Sequence, residues 1–514
     1  MPASRGRRLG RSTLGLIALL AALAVAIPTS ASAAELVIDS TAEETDAAPG
    51  GDCETAAGDC TLRAAIEVAN VDPDPDDLRF DPGVFKGGPA STIALDSALP
   101  TITTAVHLLG TGCPTGAGGF GPCAGIIAPD DQPALTLEGA GMVVERLAIT
   151  GGSHGIRVIN ATAGSGPGDG PPRLIGNEIH MVEGTGIESR LLGAEILGNE
   201  VVGALKGIHA KGDTDGAGNL IEGNEIRNSG EAAIYIENDS NEVFGNAVHG
   251  AGESAVYLVN GADKNRIGGD TPASENVLSG STNSPITMVL PEISHNEVAR
   301  NRGSDNQGNF ISLSRANSFE ANTPGGGVKA PSVTTATESY AIGSGPPGAR
   351  IRVFRKASEV PGELRSFVAE AIVDGGGVWS VSYSPIPAET FIAVSATNSK
   401  KGTSELGFGL TVADPRAPGG GDGGANGPDL TPPDTRIAAQ PALRSRRSAK
   451  LEFTSTIAGS GFECKLDRRP FAPCRSPKTY RKLRAGRHVF KVRALSPAGV
   501  PDPTPATKRF RVNP

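Results

Sequence analysis

One phrase recurs through the middle of the chain: Gly176-Asn177-Glu178-Ile179, Gly198-Asn199-Glu200-Val201, Gly223-Asn224-Glu225-Ile226, Gly245-Asn246-Ala247-Val248, then Asn276-Val277 and Asn296-Glu297-Val298. Successive asparagines lie 22, 25, 22, 30 and 20 residues apart. A repeat of roughly 20 to 30 residues marks stacked units, each burying its apolar face only against its neighbours. About nine or ten residues after each asparagine comes a second apolar signal, Gly186-Ile187, Gly207-Ile208, Ala233-Ile234-Tyr235-Ile236, Ala255-Val256-Tyr257-Leu258 and Pro285-Ile286. A third precedes it, in Leu174-Ile175, Ile196-Leu197, Leu220-Ile221, Val243-Phe244 and Ile293. Short alternating stretches with Gly and Asn at the corners, lacking a 3.6-residue apolar period, predict one coil of a parallel β-helix per repeat. At a corner, Asn tolerates left-handed dihedrals, and coils stacked about 4.8 Å apart bring side-chain amides within hydrogen-bonding reach. Asn177, Asn199, Asn224, Asn246, Asn276 and Asn296 are therefore read as a structural ladder.

The 514 residues, 38 % apolar and only 4 % aromatic, fit a long β-solenoid with further domains. Arg5, Arg7, Arg8 and Arg11, the apolar run Leu14 to Ile27 and the small-residue site Ala31-Ser32-Ala33 read as a secretory signal over 1–33, with the mature chain starting at Ala34. The apolar run is shorter than the ~20 residues of a membrane span, so no span is expected in the mature chain. Six cysteines form three close pairs, and export favours disulfides Cys53-Cys60, Cys113-Cys123 and Cys464-Cys474 over a metal site. No His stands at ligand spacing from any pair, and no metal is expected.

Residues 61–70 place Leu62, Ala65, Ile66 and Ala69 on one helical stripe, a short amphipathic helix suited to covering the open end of a solenoid. Cys60-Thr61-Leu62-Arg63-Ala64-Ala65-Ile66 with Ala69-Asn70 resembles the Cys-Ser-Leu-Arg-Glu-Ala-Ile motif that opens many secreted bacterial right-handed parallel β-helix proteins. It departs from that motif at Thr61 and Ala64. Thr92-Ile93-Ala94-Leu95, Val106-His107-Leu108-Leu109-Gly110 and Asn265-Arg266-Ile267-Gly268-Gly269 resemble the family's coils, so the likeness spans about residues 35–320. It implies a pectate-lyase-like, right-handed parallel β-helix, in a superfamily that holds both polysaccharide-cleaving enzymes and adhesins, so fold does not settle function.

Beyond a Gly-rich join at Thr323-Pro324-Gly325-Gly326-Gly327 the repeat gives way to alternating strands such as Ile351-Arg352-Val353-Phe354 and Trp379-Ser380-Val381-Ser382-Tyr383. The stretches 345–354, 374–380 and 403–406 resemble bacterial immunoglobulin-like modules, and the region from Pro433 resembles a second such module with one short disulfide. The expected organisation is a cap over 34–80, a β-helix over 81–325, an immunoglobulin-like β-sandwich over 328–412, a flexible linker over 413–432 and a basic sandwich over 433–514. From residue 431 onward there are nineteen Lys and Arg against five Asp and Glu, a net of +14 where the whole chain is −9. That asymmetry points to an anionic partner, an acidic extracellular polysaccharide, an anionic cell-wall polymer or the chain's own acidic solenoid, and the lack of an accompanying aromatic set speaks against nucleic acid.

Residues one place after each inward Ile stack on a single outer face, which aligns Arg157, Glu188, His209, Tyr235, Tyr257 and Thr287. Stacked tyrosine rings beside charged groups suit a sugar chain, whose pyranose faces pack on aromatic rings. A lyase on this fold needs an Arg or Lys base and commonly calcium-binding carboxylates, for which Lys206, Lys211, Asp213, Asp215 and Arg227 are the nearest group. Of the glycosidase motifs that the resemblance suggests, only the fragments Gly152-Ser153-His154-Gly155 and Arg266-Ile267-Gly268 occur. The residues thus favour a secreted or surface-associated, non-catalytic, adhesin-like β-helix that binds extracellular polymer or the cell envelope. The alternative is a polysaccharide lyase or glycoside hydrolase, with calcium as cofactor only in the lyase case and no cofactor otherwise.

Overall fold

The short alternating stretches stack into three long parallel sheets. The computed structural model describes residues 34–512 apart from 49–50, 73, 88–90, 111, 115–119, 123, 160–169, 191–192, 213–217, 291–294, 316–327, 357–361, 400–401, 414–431, 439–441, 446, 459, 470 and 497–500. The signal expected over 1–33, Cys123, Asp213, Asp215, Ile293, the glycine-rich join and most of the linker expected over 413–432 lie outside the described residues.

The first sheet has ten strands, running from Ala34–Ile38 through Arg173–Ile175, Glu195–Leu197, Leu220–Glu222 and Glu242–Phe244 to Glu297–Val298. The second has nine, from Thr92–Ala94 through Glu178–His180, Glu200–Val202 and Glu225–Ser229 to Asn301–Arg302. The third has eight, from Pro133–Leu137 through Thr185–Ser189, Lys206–Ala210, Ile234–Ile236 and Val256–Leu258 to Ile311–Arg315. Each coil visits the three sheets in turn, so strands that are neighbours in a sheet come from successive coils: Ile187 pairs with Ile208, Ile208 with Ile234 and Ile234 with Val256. The chain is a parallel β-helix whose interior is a column of fully buried Ile, Val and Leu, among them Ile149, Ile179, Ile196, Ile221 and Val243, each 0 % exposed.

Two asparagine ladders run up this interior rather than one. Asn177, Asn199, Asn224, Asn246, Asn276 and Asn301 form the first, each joined to the next by side-chain amide bonds of 2.9 to 3.1 Å. Asn296, placed in that series by its neighbouring residues, belongs instead to a second ladder, Asn219, Asn241, Asn265 and Asn296. The left-handed corner residue is also not the Asn: Gly176, Gly198, Gly223 and Gly245, with φ of 61°, 61°, 67° and 63°, make the bend. The next residue, Asn, then points its amide inward. Asn224 shows how fully the group is used. Its Oδ1 accepts from the backbone N–H (2.9 Å) and Nδ2 (3.0 Å) of Asn199, and its Nδ2 donates to the Ile196 carbonyl (2.8 Å) and Asn246 Oδ1 (3.0 Å).

At the N-terminal end, Thr61 caps a helix over Leu62–Ala69, accepting from the Ala64 N–H at 3.0 Å. Leu62, Ala65, Ile66 and Ala69 are at most 1 % exposed and join the same core. The helix stops at Asn70, before Asp72, and Asn70 ties it to the next coil by donating to the Thr101 carbonyl at 2.8 Å. Arg63 clamps the helix down through Glu43, Ser97 and the Ala98 carbonyl. The Cys53–Cys60 bridge closes the loop just before it, and Cys464–Cys474 lies in the last module.

The other end of the helix is closed by the next module. Antiparallel strands Arg350–Lys356, Ser366–Ile372, Phe391–Asn398 and Gly407–Thr411 join Ser332–Ala336, Tyr340–Ser344 and Val378–Ser382 around Trp379. Phe354 and Leu364 of this module belong to the core of the β-helix. The open backbone of the last coil finds partners here: Val298 N–H donates to Thr403 Oγ1 (2.9 Å), Gly303 N–H to the Leu364 carbonyl (2.8 Å) and Leu313 N–H to Glu405 (3.0 Å). Arg352, 1 % exposed, reaches Glu297 across the junction while donating to Thr397 of its own module. A final module packs strands Gly461–Leu466, Gly486–Leu495 and Ala506–Val512 over Phe453, Phe490 and Val492.

Replacing Asn224 by Ala strands two donors of Asn199 and the Ile196 carbonyl, at a cost on the order of 3 kcal/mol. The urea midpoint should fall accordingly, whereas Glu222→Ala at the exposed neighbouring position should change stability by less than about 0.5 kcal/mol. Equal effects would mean that the ladder does not carry stability. Arg352→Met should accelerate hydrogen exchange at Val298, Gly303 and Leu313 while leaving the coils around Asn177 and Asn199 unchanged, as read by exchange mass spectrometry. Unchanged exchange at the last coil would refute this role for the junction.

Candidate polysaccharide-binding face

The third sheet turns its outer face into a single continuous column. Within each coil Ile156, Ile187, Ile208, Ile234 and Val256 point inward at 0 % exposure, so the following residue faces out. Strand pairing then sets Arg157 against Glu188, Glu188 against His209, His209 against Tyr235, Tyr235 against Tyr257 and Tyr257 against Thr287. In the coils of Ile187 and Ile208 the preceding glycine is a packing requirement, whereas Ile234 and Val256 follow alanines. A Cβ on Gly186 would stand 2.4 Å from Val201 Cγ1, and one on Gly207 2.5 Å from both Ile226 Cγ2 and the Ala233 carbonyl.

Glu188 is the hub of one end, with only 4 % of its surface exposed. Its Oε1 accepts from Arg157 Nε at 3.0 Å and from Arg190 Nε at 2.7 Å, and His154 and His209 stand 3.8 Å from Oε2. Burial alone raises the pKa of this carboxyl. The imidazole of His154 and the guanidinium of Arg190 outweigh it and hold the group well below the usual carboxylate range. His209 is wedged between two carboxylates, its Nε2 donating to Glu237 at 3.0 Å while Glu237 Oε1 accepts from Asn260 at 2.8 Å. Burial nevertheless holds its pKa below the usual histidine value.

At the other end the column is aromatic. The His209 ring meets Tyr235 edge-on with centroids 5.0 Å apart, and Tyr235 stacks on Tyr257 at 5.4 Å with an interplanar angle of 23°. Lys206 lies 5.0 Å from the Tyr235 centroid while pairing with Glu231 at 2.7 Å. Burial, helped by the charge of Glu237, pushes the Tyr235 phenol up to about 12, so it is a neutral hydrogen-bonding hydroxyl at any physiological pH. The result is a half-buried pair of rings flanked by a cation and by buried charge, five coils long from Arg157 to Tyr257.

Of the lyase candidates, Asp213 and Asp215 lie outside the described residues. Lys206 is on the third sheet, but Arg227 is on the second, paired with Glu225. Lys211 follows the third-sheet strand Lys206–Ala210 and hydrogen-bonds through its backbone to Ser189. The structure adds His154, Arg190, Glu231 and Glu237 to the face. A period-2 reading would have reached Arg190 and Glu237, each two residues beyond a column member. His154 was hidden by the Gly155-Ile156 pair, where two successive residues are buried.

Acid protonation of His209 is opposed by the fold, so the unfolded chain binds more protons than the folded one below the unperturbed histidine value of about 6.5. Its contribution to stability is complete above that pH and is lost as pH falls through the lower, folded value. Glu188 adds a second loss at still lower pH, below about 4, where the unfolded carboxyl protonates first. His209→Gln should flatten the stability profile just below pH 6.5 while leaving the deeper acid loss, measured by urea midpoints from pH 8 to pH 3. An unaltered profile would remove His209 from this account.

No protein-family model matches the chain, and no curated protein matches it. Among solved structures it is similar to the BSP domain of a biofilm associated protein, with 15 % identity over 36 % of this chain and 29 % of that one and a TM-score of 0.14. It is similar to fibronectin(III)-like modules of CbhA from Clostridium thermocellum, with 11 % identity over 37 % and 92 % and a TM-score of 0.16. It is also similar to the enzymatically active domain of tailspike protein 2 of bacteriophage CBA120, with 8 % identity over 85 % and 71 % and a TM-score of 0.27. The chain spans under a third of the first of these, and likenesses this low carry neither fold nor activity across.

Proposed function

We propose that this is a secreted or surface-associated, non-catalytic protein that binds an extracellular polysaccharide along the third face of its β-helix. The observation that carries the reading is the unbroken register from Arg157 through Glu188 and His209 to the stacked rings of Tyr235 and Tyr257. Two near-parallel rings offer apolar faces to pyranose rings, with Lys206, Glu231 and Glu237 beside them for hydroxyls. The coil hand is right-handed, as the N-terminal motif implies and as parallel crossovers overwhelmingly prefer. The two C-terminal modules are of the immunoglobulin-like kind.

The groups that would serve as a general base are engaged in fixed pairs. Glu188 is saturated by two guanidiniums, His209 is bonded to Glu237 and Lys206 to Glu231. Such pairing suits a rigid recognition surface better than a proton shuttle.

The test is affinity electrophoresis of the purified chain through gels containing a panel of neutral and uronate polysaccharides, with ultraviolet and reducing-end assays run in parallel. Retardation by at least one polymer is expected, with no unsaturated or reducing product. The Tyr235→Ala/Tyr257→Ala double variant should weaken binding about tenfold or more, as losing two stacking rings does. Product formation, or full retention by the double variant, would overturn the reading.

A further inference from the structure

The last module holds a second surface, of different chemistry. On strand Gly486–Leu495 burial alternates: Phe490, Val492 and Ala494 are inside, leaving Arg487, Val489, Lys491 and Arg493 outside. On the neighbouring strand Ala506–Val512 the exposed positions are Thr507, Arg509 and Arg511. On the other side, Gly461–Leu466 contributes Glu463 and Lys465. Register places Arg487 opposite Arg511, Val489 opposite Arg509, and Lys491 opposite both Thr507 and Lys465. Six cations therefore share one pleated face, at spacings of about 4.8 Å across strands and about 7 Å along them.

Their neutralisation is lopsided. Arg493 pairs with Glu463 at 2.7 Å and stands 3.8 Å from Asp374 of the preceding module. Arg487, Lys491, Arg509 and Arg511 have no carboxylate partner among the described residues. Like charges placed side by side on adjacent strands destabilise a sheet. Arg487 facing Arg511 is thus a cost to folding that an anionic occupant would relieve.

From this we infer that the outer face of the four-stranded sheet docks a linear carboxylate polysaccharide, one charge per sugar, lying across the strands. The Arg forks suit planar carboxylates, and Val489 amid Arg487, Lys491 and Arg509 supplies an apolar contact for a ring face. Phe471 is the aromatic neighbour of this face, and Lys465 and Arg493 lie 4.9 and 4.8 Å from its centroid. Both contacts cover a ring that base stacking would need, which disfavours single-stranded nucleic acid. The choice of a sugar polymer rests on the third-face reading above; the cation lattice stands without it.

The experiment uses the full chain, with immobilised polygalacturonate as probe and its methyl-esterified form, duplex DNA and polyphosphate as competitors. Binding is measured between 50 and 300 mM NaCl. Wild type should bind polygalacturonate, lose affinity with salt and ignore the ester. Arg487→Ser/Arg509→Ser/Arg511→Ser should bind at least tenfold more weakly with a shallower salt dependence, and the corresponding triple Lys variant should retain most of the binding. Tyr235→Ala/Tyr257→Ala should leave the salt dependence unchanged, which separates failure of this surface from failure of the third face. Wild-type-like binding by the Ser variant overturns the proposal, as does tighter competition by DNA or polyphosphate than by soluble polygalacturonate. Salt-sensitive self-association in sedimentation that the Ser variant abolishes would assign the face to a second copy and overturn it equally.

Discussion

Everything on the outside of this molecule depends on amides buried inside it. A parallel β-helix has no tight hairpins to set its register, and its backbone hydrogen bonds alone tolerate slippage between coils. The ladders remove that freedom. Asn199, Asn224, Asn246 and Asn276 each accept from the backbone and side chain of the Asn in the coil below and donate to the Asn of the coil above, all at 0 to 1 % exposure. Shifting a coil by one residue would leave several buried donors and acceptors unmade, at about 1 to 3 kcal/mol each. Coils of unequal length still align, because the insertion in one of them, Thr271 to Glu275, is extruded as a capped turn between Asn265 and Asn276.

That register is what turns scattered residues into a surface. Glu188 and His209 are 21 positions apart in sequence and adjacent in the sheet, and Tyr235 and Tyr257, 22 apart, are adjacent too. A buried carboxylate is costly unless paired, and Glu188 is paired twice over, which fixes the guanidiniums of Arg157 and Arg190 in turn. Rigidity at one end of the column and ring stacking at the other come from the same vertical spacing. A sugar polymer bound along it would meet a preorganised surface and lose little binding energy to ordering side chains.

Much of this was legible in the residues, and the misses have physical causes. The Gly-Asn phrase names the corner, and the Ile column names the inward face, so the outer column follows by counting one residue on. Two features were not readable. Asn296 and Asn301 both follow the repeat at plausible spacing, and only the strand between them, Glu297–Val298 in the first sheet, shows that they occupy opposite corners. The closure of the last coil by Thr403, Leu364 and Glu405 links residues 61 to 105 positions apart with no local signature, since any polar group in a loop could serve. Arg227 sat near Lys206 in sequence and on a different sheet in space, because sheet identity changes every few residues along a coil.

Charge separates the third face from the other two as the better match to the proposed sugar chain. On the second sheet Glu178, Glu200 and Glu225 stand directly over one another, and burial together with the charge of Glu200 raises the Glu178 pKa. A polyanion would be repelled there. The first sheet carries Glu195, Glu222 and Glu242 outward, with Arg173 and Arg266 set against Glu195 and Glu297. On the third face Glu188 and Glu231 are paired with Arg157, Arg190 and Lys206, while the charges of Glu237 and Glu253 act on the tyrosines, so the surface offers rings and hydroxyl partners for a sugar chain of low charge. A polymer tolerated by that face and attracted by the basic sheet of the last module would engage both on one chain. Linked sites of this kind gain avidity from effective concentration even when each alone is weak.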